Sequence, residues 1–167
     1  MTGREEMNVN VASPSVHASD KLVPFEVEPV GRCLGAEIHG LDLKQGLNQP
    51  TYEKLLEALT EHKVIVLRDQ HLNTRQHVEI SRMFGELEVH PFRPQGEFPE
   101  ILVLDNHKDN PVLSTDVWHS DTTFRLRPTK YTILRNQILP KTGGDTLWCN
   151  MEKVYESLSA PMRAFID

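Results

Sequence analysis

The chain has 167 residues, of which 25% are charged and 38% hydrophobic, and its formal net charge is -6. This length allows one domain with a real core, and the composition is typical of an ordinary soluble protein. The acidic balance gives no indication of a nucleic-acid partner, and no apolar run predicts a signal peptide or a membrane span. Because Cys33 and Cys149 form neither a disulfide framework nor a CxxC motif, we expect a reducing, cytoplasmic environment.

The N-terminal part of the chain divides into a polar stretch and the start of a folded region. Residues 1–22 are rich in small polar residues and have almost no hydrophobic periodicity, which predicts a disordered leader. Residues 23–167 are predicted to form the structured portion, with alternation starting at Phe25 and a short strand at 36–38. The run 64–67 is apolar and mostly β-branched, which predicts a strand buried on both sides.

Helices are predicted where a capping residue precedes a periodic apolar face. Asn48 or Thr51 is the cap of a first helix, which ends at Lys63. Asn73 or Thr74 is the cap of a second helix. Both segments carry apolar residues three and four positions apart, the spacing of one helical face.

The second half of the chain is predicted to contain more strands and two more helices. Alternating or continuous apolar runs predict strands at 87–90, 101–104 and 131–134. Asn150 and Ser159 are placed to cap the two C-terminal helices. The last of these helices is cut short by the end of the sequence, so we expect the chain to be part of a longer fold.

A His-x-Asp motif, His119 and Asp121, is the strongest candidate site. Positions two apart project to the same side of a β-strand, so an imidazole and a carboxylate can converge there. Such a pair forms two-thirds of a 2-His-1-carboxylate facial triad, which binds Fe(II) and leaves three coordination positions open. Trp118 and Phe124 are expected to shield the site from water. The alternative is a strand end or turn in which Asp121 only orients His119 through a hydrogen bond.

Six segments extend this motif into a family pattern, in the order 35–43, 66–70, 84–87, 90–91, 118–124 and 143–148. Together they resemble the taurine dioxygenase family of Fe(II)/2-oxoglutarate-dependent oxygenases, over the chain from about Phe25 to its end. The resemblance implies a mainly β fold with flanking helices (α+β). Its core would be part of a double-stranded β-helix, or jelly roll, whose C-terminal half is missing from this chain.

The resemblance also implies roles for individual residues. His119 and Asp121 would bind Fe(II), and Thr146 would help to hold the cosubstrate 2-oxoglutarate. The residues that would contact a small anionic substrate are His90, Arg93, Thr115 and Phe124. The implied reaction uses O2 to hydroxylate an organic sulfonate or sulfate such as taurine, and it yields sulfite or sulfate with succinate and CO2.

Departures from the family pattern keep other functions open. Taurine-using members carry Tyr at the position of Arg93 and Asn at the position of Thr115, so the substrate is open. The family's second iron-binding His and its 2-oxoglutarate-binding Arg lie downstream of Asp167, so we expect this chain alone to be inactive. The alternatives are a non-catalytic fragment or interaction protein, and a cupin-like metal-binding protein that uses His90 or His107. The full-length enzyme could form a homo-oligomer.

Overall fold

The computed structural model describes residues 21, 23–89, 96–105 and 117–167, so all but one residue of the predicted leader lies outside it. The strands are β1 (Glu26–Pro29), β2 (Ala36–His39) and β3 (Ile65–Leu67), and the α-helices are α1 (Gln49–His62), α2 (Thr74–Arg82), α3 (Met151–Ser157) and α4 (Ala160–Ile166). A single 3-10 turn, Leu43–Gln45, separates β2 from α1. The strands predicted near residues 36–38 and 64–67 are confirmed.

The three strands form one sheet in the order β1-β2-β3. β1 and β2 are antiparallel, while β2 and β3 run parallel and are joined by α1. This connection follows from geometry, because parallel neighbours need a crossover, usually a helix. Ile65 and Leu67 pack against the core, whereas the Val66 side chain is 39% exposed. The prediction that this strand is buried on both sides is therefore wrong, since the described elements cover only one face.

Local side-chain hydrogen bonds explain where the helices begin. Asn48 Oδ1 accepts a hydrogen bond from the Thr51 backbone N–H at 3.0 Å, and α1 ends before Lys63. Asn73 and Gln76 form a reciprocal capping box at the start of α2. The caps predicted for the first two helices are confirmed, and so are the predicted caps of α3 and α4.

The hydrophobic core lies between the sheet and helices α1 and α2. Its buried members are Phe25, Ile38, Leu41, Leu47, Leu55, Ala58 and Ile80. Burial of each large side chain contributes about 1.5–3 kcal/mol relative to exposure. Every one of these residues precedes position 81, so the core of the described residues belongs to the N-terminal half of the chain.

Other predicted strands are not formed by the described residues. Segments 87–89, 101–104 and 131–134 have no ladder partner there, and 121–124 is a turn. Val103 illustrates the reason, since its side chain is 73% exposed. A strand needs a neighbour for its backbone groups and a cover for its apolar side chains, and the described residues provide neither for these segments.

The observed architecture is therefore a small sheet flanked by helices, which confirms the α+β part of the predicted fold class. The described residues contain more helix than strand, and they do not close a double-stranded β-helix. Among them, no helix combines the length and the apolar character needed to cross a lipid bilayer.

Candidate metal centre

His119 and Asp121 converge on an exposed turn. His119 Nε2 lies 3.4 Å from Asp121 Oδ1, and both side chains are about half exposed or more. The backbone here is irregular and enters a turn at Asp121, so the predicted strand geometry is wrong although the side chains still meet. A turn brings the two side chains together, and hydrogen bonds hold both the turn and the side chains.

The imidazole of His119 is oriented by a backbone carbonyl two residues earlier in the chain. Its Nδ1 lies 2.9 Å from the carbonyl oxygen of Val117, which can only accept a hydrogen bond. Nδ1 therefore carries the hydrogen, and in the neutral ring the lone pair is on Nε2, which faces Asp121. The lone pair of His119 Nε2 therefore faces an oxygen of the Asp121 carboxylate. A cation between these two atoms, either a proton or a metal ion, stabilises this arrangement.

The carboxylate of Asp121 is oriented by a residue that sequence reasoning missed. Thr132 Oγ1 donates a hydrogen bond to Asp121 Oδ2 at 2.8 Å, which leaves Oδ1 directed at His119. No spacing rule links positions 121 and 132. The segment 131–134 was predicted as a strand, and a strand hydroxyl alone carries no signal for this contact.

A chain of polar contacts ties the turn to Glu88. Thr122 Oγ1 accepts a hydrogen bond from the Thr129 backbone N–H at 2.7 Å and donates one to Thr129 Oγ1 at 3.0 Å. Thr129 Oγ1 in turn donates to Glu88 Oε2 at 2.8 Å, and Arg125 pairs with Glu88 Oε1 at 2.6 Å. The Glu88 carboxylate thus holds the loop that follows the His119–Asp121 pair.

Segment 131–135 connects the site to the N-terminal core. The Phe84 ring packs edge-on against Tyr131, with ring centroids 5.9 Å apart. Arg135 donates a hydrogen bond to the Leu72 carbonyl just before α2. His77 on α2 is buried, and this burial, together with the nearby Arg135 cation, lowers its pKa. This histidine is packed inside the protein, and it is not part of the site.

The remaining predicted site residues are not gathered around the pair by the described residues. Thr146 is exposed and follows Gly143 and Gly144, both at φ 73. Phe124 is 81% exposed and Trp118 is 68% exposed, so the predicted shielding is not formed by the described part of the chain. His90, Arg93 and Thr115 lie outside the described residues, as does His107.

A separate cavity of about 260 Å³ lies beside α2 and the segment 97–100. Its cationic side chains are paired, Arg75 with Glu97 at 3.6 Å and Arg82 with Glu100 at 2.8 Å. None of its lining residues is a predicted site residue. Both cations of the cavity are therefore paired within the protein, and the cavity does not extend the candidate metal centre.

The His119–Asp121 pair fits part of an iron site. Two ligands at about 2.1 Å from one cation and roughly 90° apart lie about 3 Å from each other, close to the observed 3.4 Å. Imidazole nitrogen and carboxylate oxygen are the donors of the facial triad, and both are oriented through hydrogen bonds. In residues 21, 23–89, 96–105 and 117–167, no group of three or more His, Cys, Asp or Glu could hold a metal.

Comparison with known proteins places this geometry in context. Residues 26–167 match the profile of the family described as Taurine catabolism dioxygenase TauD, TfdA family. An alpha-ketoglutarate-dependent sulfate ester dioxygenase of Pseudomonas putida is 36% identical, with 94% of this chain and 52% of that protein covered. An alkylsulfatase of Acinetobacter baylyi is 38% identical, with 80% of this chain and 42% of that protein covered.

A solved structure agrees with these matches. The crystal structure of a taurine dioxygenase from Burkholderia xenovorans superposes with a TM-score of 0.73 and 36% identity, covering 85% of this chain and 51% of the other. This chain therefore spans about half the length of the proteins that it matches. The range that matches the family, residues 26–167, includes the turn that carries the His-x-Asp pair.

Proposed function

Because this chain belongs to the taurine catabolism dioxygenase TauD, TfdA family, we propose that it supplies two iron ligands to an Fe(II)- and 2-oxoglutarate-dependent dioxygenase. The observation that carries the proposal is the oriented pair, with His119 Nε2 and Asp121 Oδ1 3.4 Å apart. When bound, Fe(II) and 2-oxoglutarate supply the oxidising power that inserts an oxygen atom from O2, with succinate and CO2 as co-products. The protein binds and orients these groups.

Each side chain of the pair has a defined part in the proposal. His119 binds through Nε2, because its Nδ1 hydrogen is already given to the Val117 carbonyl. Asp121 binds through Oδ1, because its other oxygen accepts the Thr132 hydroxyl. Thr146 is assigned to 2-oxoglutarate. The second iron-binding His and the Arg for 2-oxoglutarate are assigned to sequence beyond this chain.

We assign the substrate to small organic sulfates and sulfonates, of which taurine is one. The support is chemical, since an imidazole and a guanidinium suit a sulfur oxyanion, and His90 and Arg93 provide those groups. Thr115 and Phe124 are assigned to the same substrate. The names of the relatives point in this direction, because they include a sulfate ester dioxygenase, an alkylsulfatase and a taurine dioxygenase.

The exposed apolar segments support a jelly-roll setting for this site. Residues 101–104 and 131–134 carry large apolar side chains that are partly or largely exposed, among them Leu104 and Leu134. In a double-stranded β-helix such segments pair with strands from the other half of the domain. That pairing would cover these side chains and enclose His119, which is 66% exposed in the described residues.

An oxidation assay tests the proposal. The purified protein that carries this chain is incubated with Fe(II), 2-oxoglutarate, O2 and either taurine or an alkyl sulfate, and succinate, sulfite and sulfate are measured. We expect H119A and D121A each to lower succinate formation by more than about a hundredfold. The control is H71A, because His71 is an exposed histidine outside the pair.

The assay separates the alternatives. Unchanged succinate formation in both ligand variants would contradict the iron-binding role. Succinate formed without sulfite or sulfate would contradict the assignment of organic sulfates and sulfonates as substrates. It would still agree with a 2-oxoglutarate-dependent oxidation. If the folded protein forms no succinate, the non-catalytic alternative is favoured, and a separate measurement of Mn(II) binding then decides whether the protein binds metal.

A further inference from the structure

The two oxygens of Asp121 have different surroundings. Oδ1 faces His119 Nε2 at 3.4 Å, while Oδ2 accepts the hydrogen bond from Thr132 Oγ1 at 2.8 Å. The Asp121 side chain is 47% exposed, so packing alone does not fix the plane of its carboxylate. The terminal torsion of an aspartate is broad, and a hydrogen bond to one oxygen therefore decides where the other points.

Thr132 is itself held by its neighbours. Tyr131 packs against Phe84, and Arg135 donates to the Leu72 carbonyl, so both flanks of Thr132 contact the N-terminal half of the chain. Threonine is branched at Cβ and therefore stiff at χ1, so the backbone sets the direction of its hydroxyl. The flanking contacts hold that backbone in place.

We propose that Thr132 is a positioning residue for the metal centre. Its hydroxyl holds Asp121 so that Oδ1 points towards the cation that Asp121 shares with His119. This inference rests on the proposed iron-binding role of the pair. Thr132 touches Asp121 and acts through it. Contacts of this kind to a ligating carboxylate or imidazole change metal affinity by about 10–100-fold when they are removed.

A simpler role must be separated from this one. The Thr132 hydroxyl could stabilise the fold by satisfying a surface carboxylate, without any effect on the metal. That role predicts a change in the free energy of unfolding and no change in metal affinity. Metal affinity in the absence of turnover is therefore the deciding measurement, and it does not depend on oxidation activity.

The experiment measures Mn(II) affinity by electron paramagnetic resonance of the free ion, in the protein that carries this chain. We expect T132V to weaken Mn(II) binding by about 10–100-fold, whereas T132S keeps the hydroxyl and stays within about threefold of the parent. T123V is the matched control, because Thr123 is an exposed threonine on the same turn. T132A replaces T132V if the valine variant does not fold.

The ligand variants distinguish the two failures. If H119A and D121A abolish Mn(II) binding while T132V and T132A leave it unchanged, the positioning role is overturned and the proposed function stands. If H119A and D121A also leave Mn(II) affinity unchanged, the iron-binding role itself is overturned. Loss of binding in T132S to the same degree as in T132V would likewise contradict the positioning role, since the hydroxyl would then not be the cause.

Discussion

Two regions of the described chain are held together by different interactions. The N-terminal region, residues 23–84, contains the sheet, helices α1 and α2 and a core that includes Ile38 and Leu55. The C-terminal region, residues 117–167, has no buried residue among those described, and hydrogen bonds and ion pairs hold its turn. Stability and ligand geometry thus have separate sources, apolar burial in one region and polar contacts in the other.

This division places the candidate metal centre where apolar packing contributes little. The polar contacts of the turn converge on Glu88, whose side chain is 29% exposed. Exposed ion pairs are screened by salt, while a hydrophobic core is not. Four pairs of matched substitutions test this division, from the largest expected effect to the smallest.

The largest contrast is expected from the same leucine truncation in each region. L55A removes a side chain that is 2% exposed and should lower the free energy of unfolding by about 2–5 kcal/mol. L126A truncates a fully exposed leucine and should change that free energy by no more than about 0.5 kcal/mol. Urea unfolding followed by circular dichroism measures both, and equal losses would show that Leu126 is buried in solution and that the contrast is wrong.

Helix caps offer a second matched pair. Asn48 is buried, accepts from the Thr51 backbone N–H at 3.0 Å and donates to the Lys21 carbonyl at 2.6 Å. N48A should therefore destabilise the protein by about 1–2 kcal/mol. N150A removes the cap of the short, exposed helix α3 and an exposed hydrogen bond from Asn150 to the Cys33 carbonyl, and it should cost about 0.5–1 kcal/mol. Urea midpoints in the reverse order would contradict the division between regions.

Glu88 tests the polar contacts of the turn. E88Q weakens the ion pair with Arg125 and should lower the free energy of unfolding by about 0.5–1 kcal/mol, with faster tryptic cleavage of the loop 117–130. E86Q is the control, because Glu86 is an exposed carboxylate two residues away. Equal cleavage rates in E88Q, E86Q and the parent protein would show that Glu88 does not hold the turn.

The smallest effect is a pH dependence at His77, where the two regions meet. Burial, and secondly the Arg135 cation, lower the pKa of His77 below its ordinary 6.5. The unfolded chain then binds the proton more readily than the folded chain. The contribution of neutral His77 to the free energy of unfolding is therefore complete above about pH 6.5, and it is lost as pH falls through the lowered pKa of the folded state. H77Q should flatten the acid decline of the urea midpoint, whereas H71Q, at an exposed histidine, should not. An unchanged decline in H77Q would contradict the assignment.

Local signals in the sequence predicted the helices well and the strands only in part. The caps Asn48, Asn73, Asn150 and Ser159 act on the next turn of the chain, so their effect is readable from neighbouring residues. Strands at 101–104 and 131–134 were predicted from apolar runs, yet a strand depends on a partner that the run does not specify.

The candidate site shows the same limit. The convergence of His119 and Asp121 was predicted from their spacing, although a turn replaces the expected strand. Thr132 and Glu88 lie 11 and 33 positions from Asp121, and their contacts depend on how the loop folds back. Spacing in the sequence therefore identified the donor atoms, while the residues that orient them became visible only in the folded chain.

Thr122 has a φ of 53°, next to Asp121 in the chain, and a β-branched residue rarely adopts that backbone conformation. Such a conformation costs roughly 1–3 kcal/mol and persists only where the surroundings compensate for it. Glycine at this position would relax the backbone but would lose the hydroxyl that meets Thr129. Asparagine tolerates this conformation better and keeps a polar side chain, so position 122 is the natural first choice for engineering heat resistance into this loop without dismantling it.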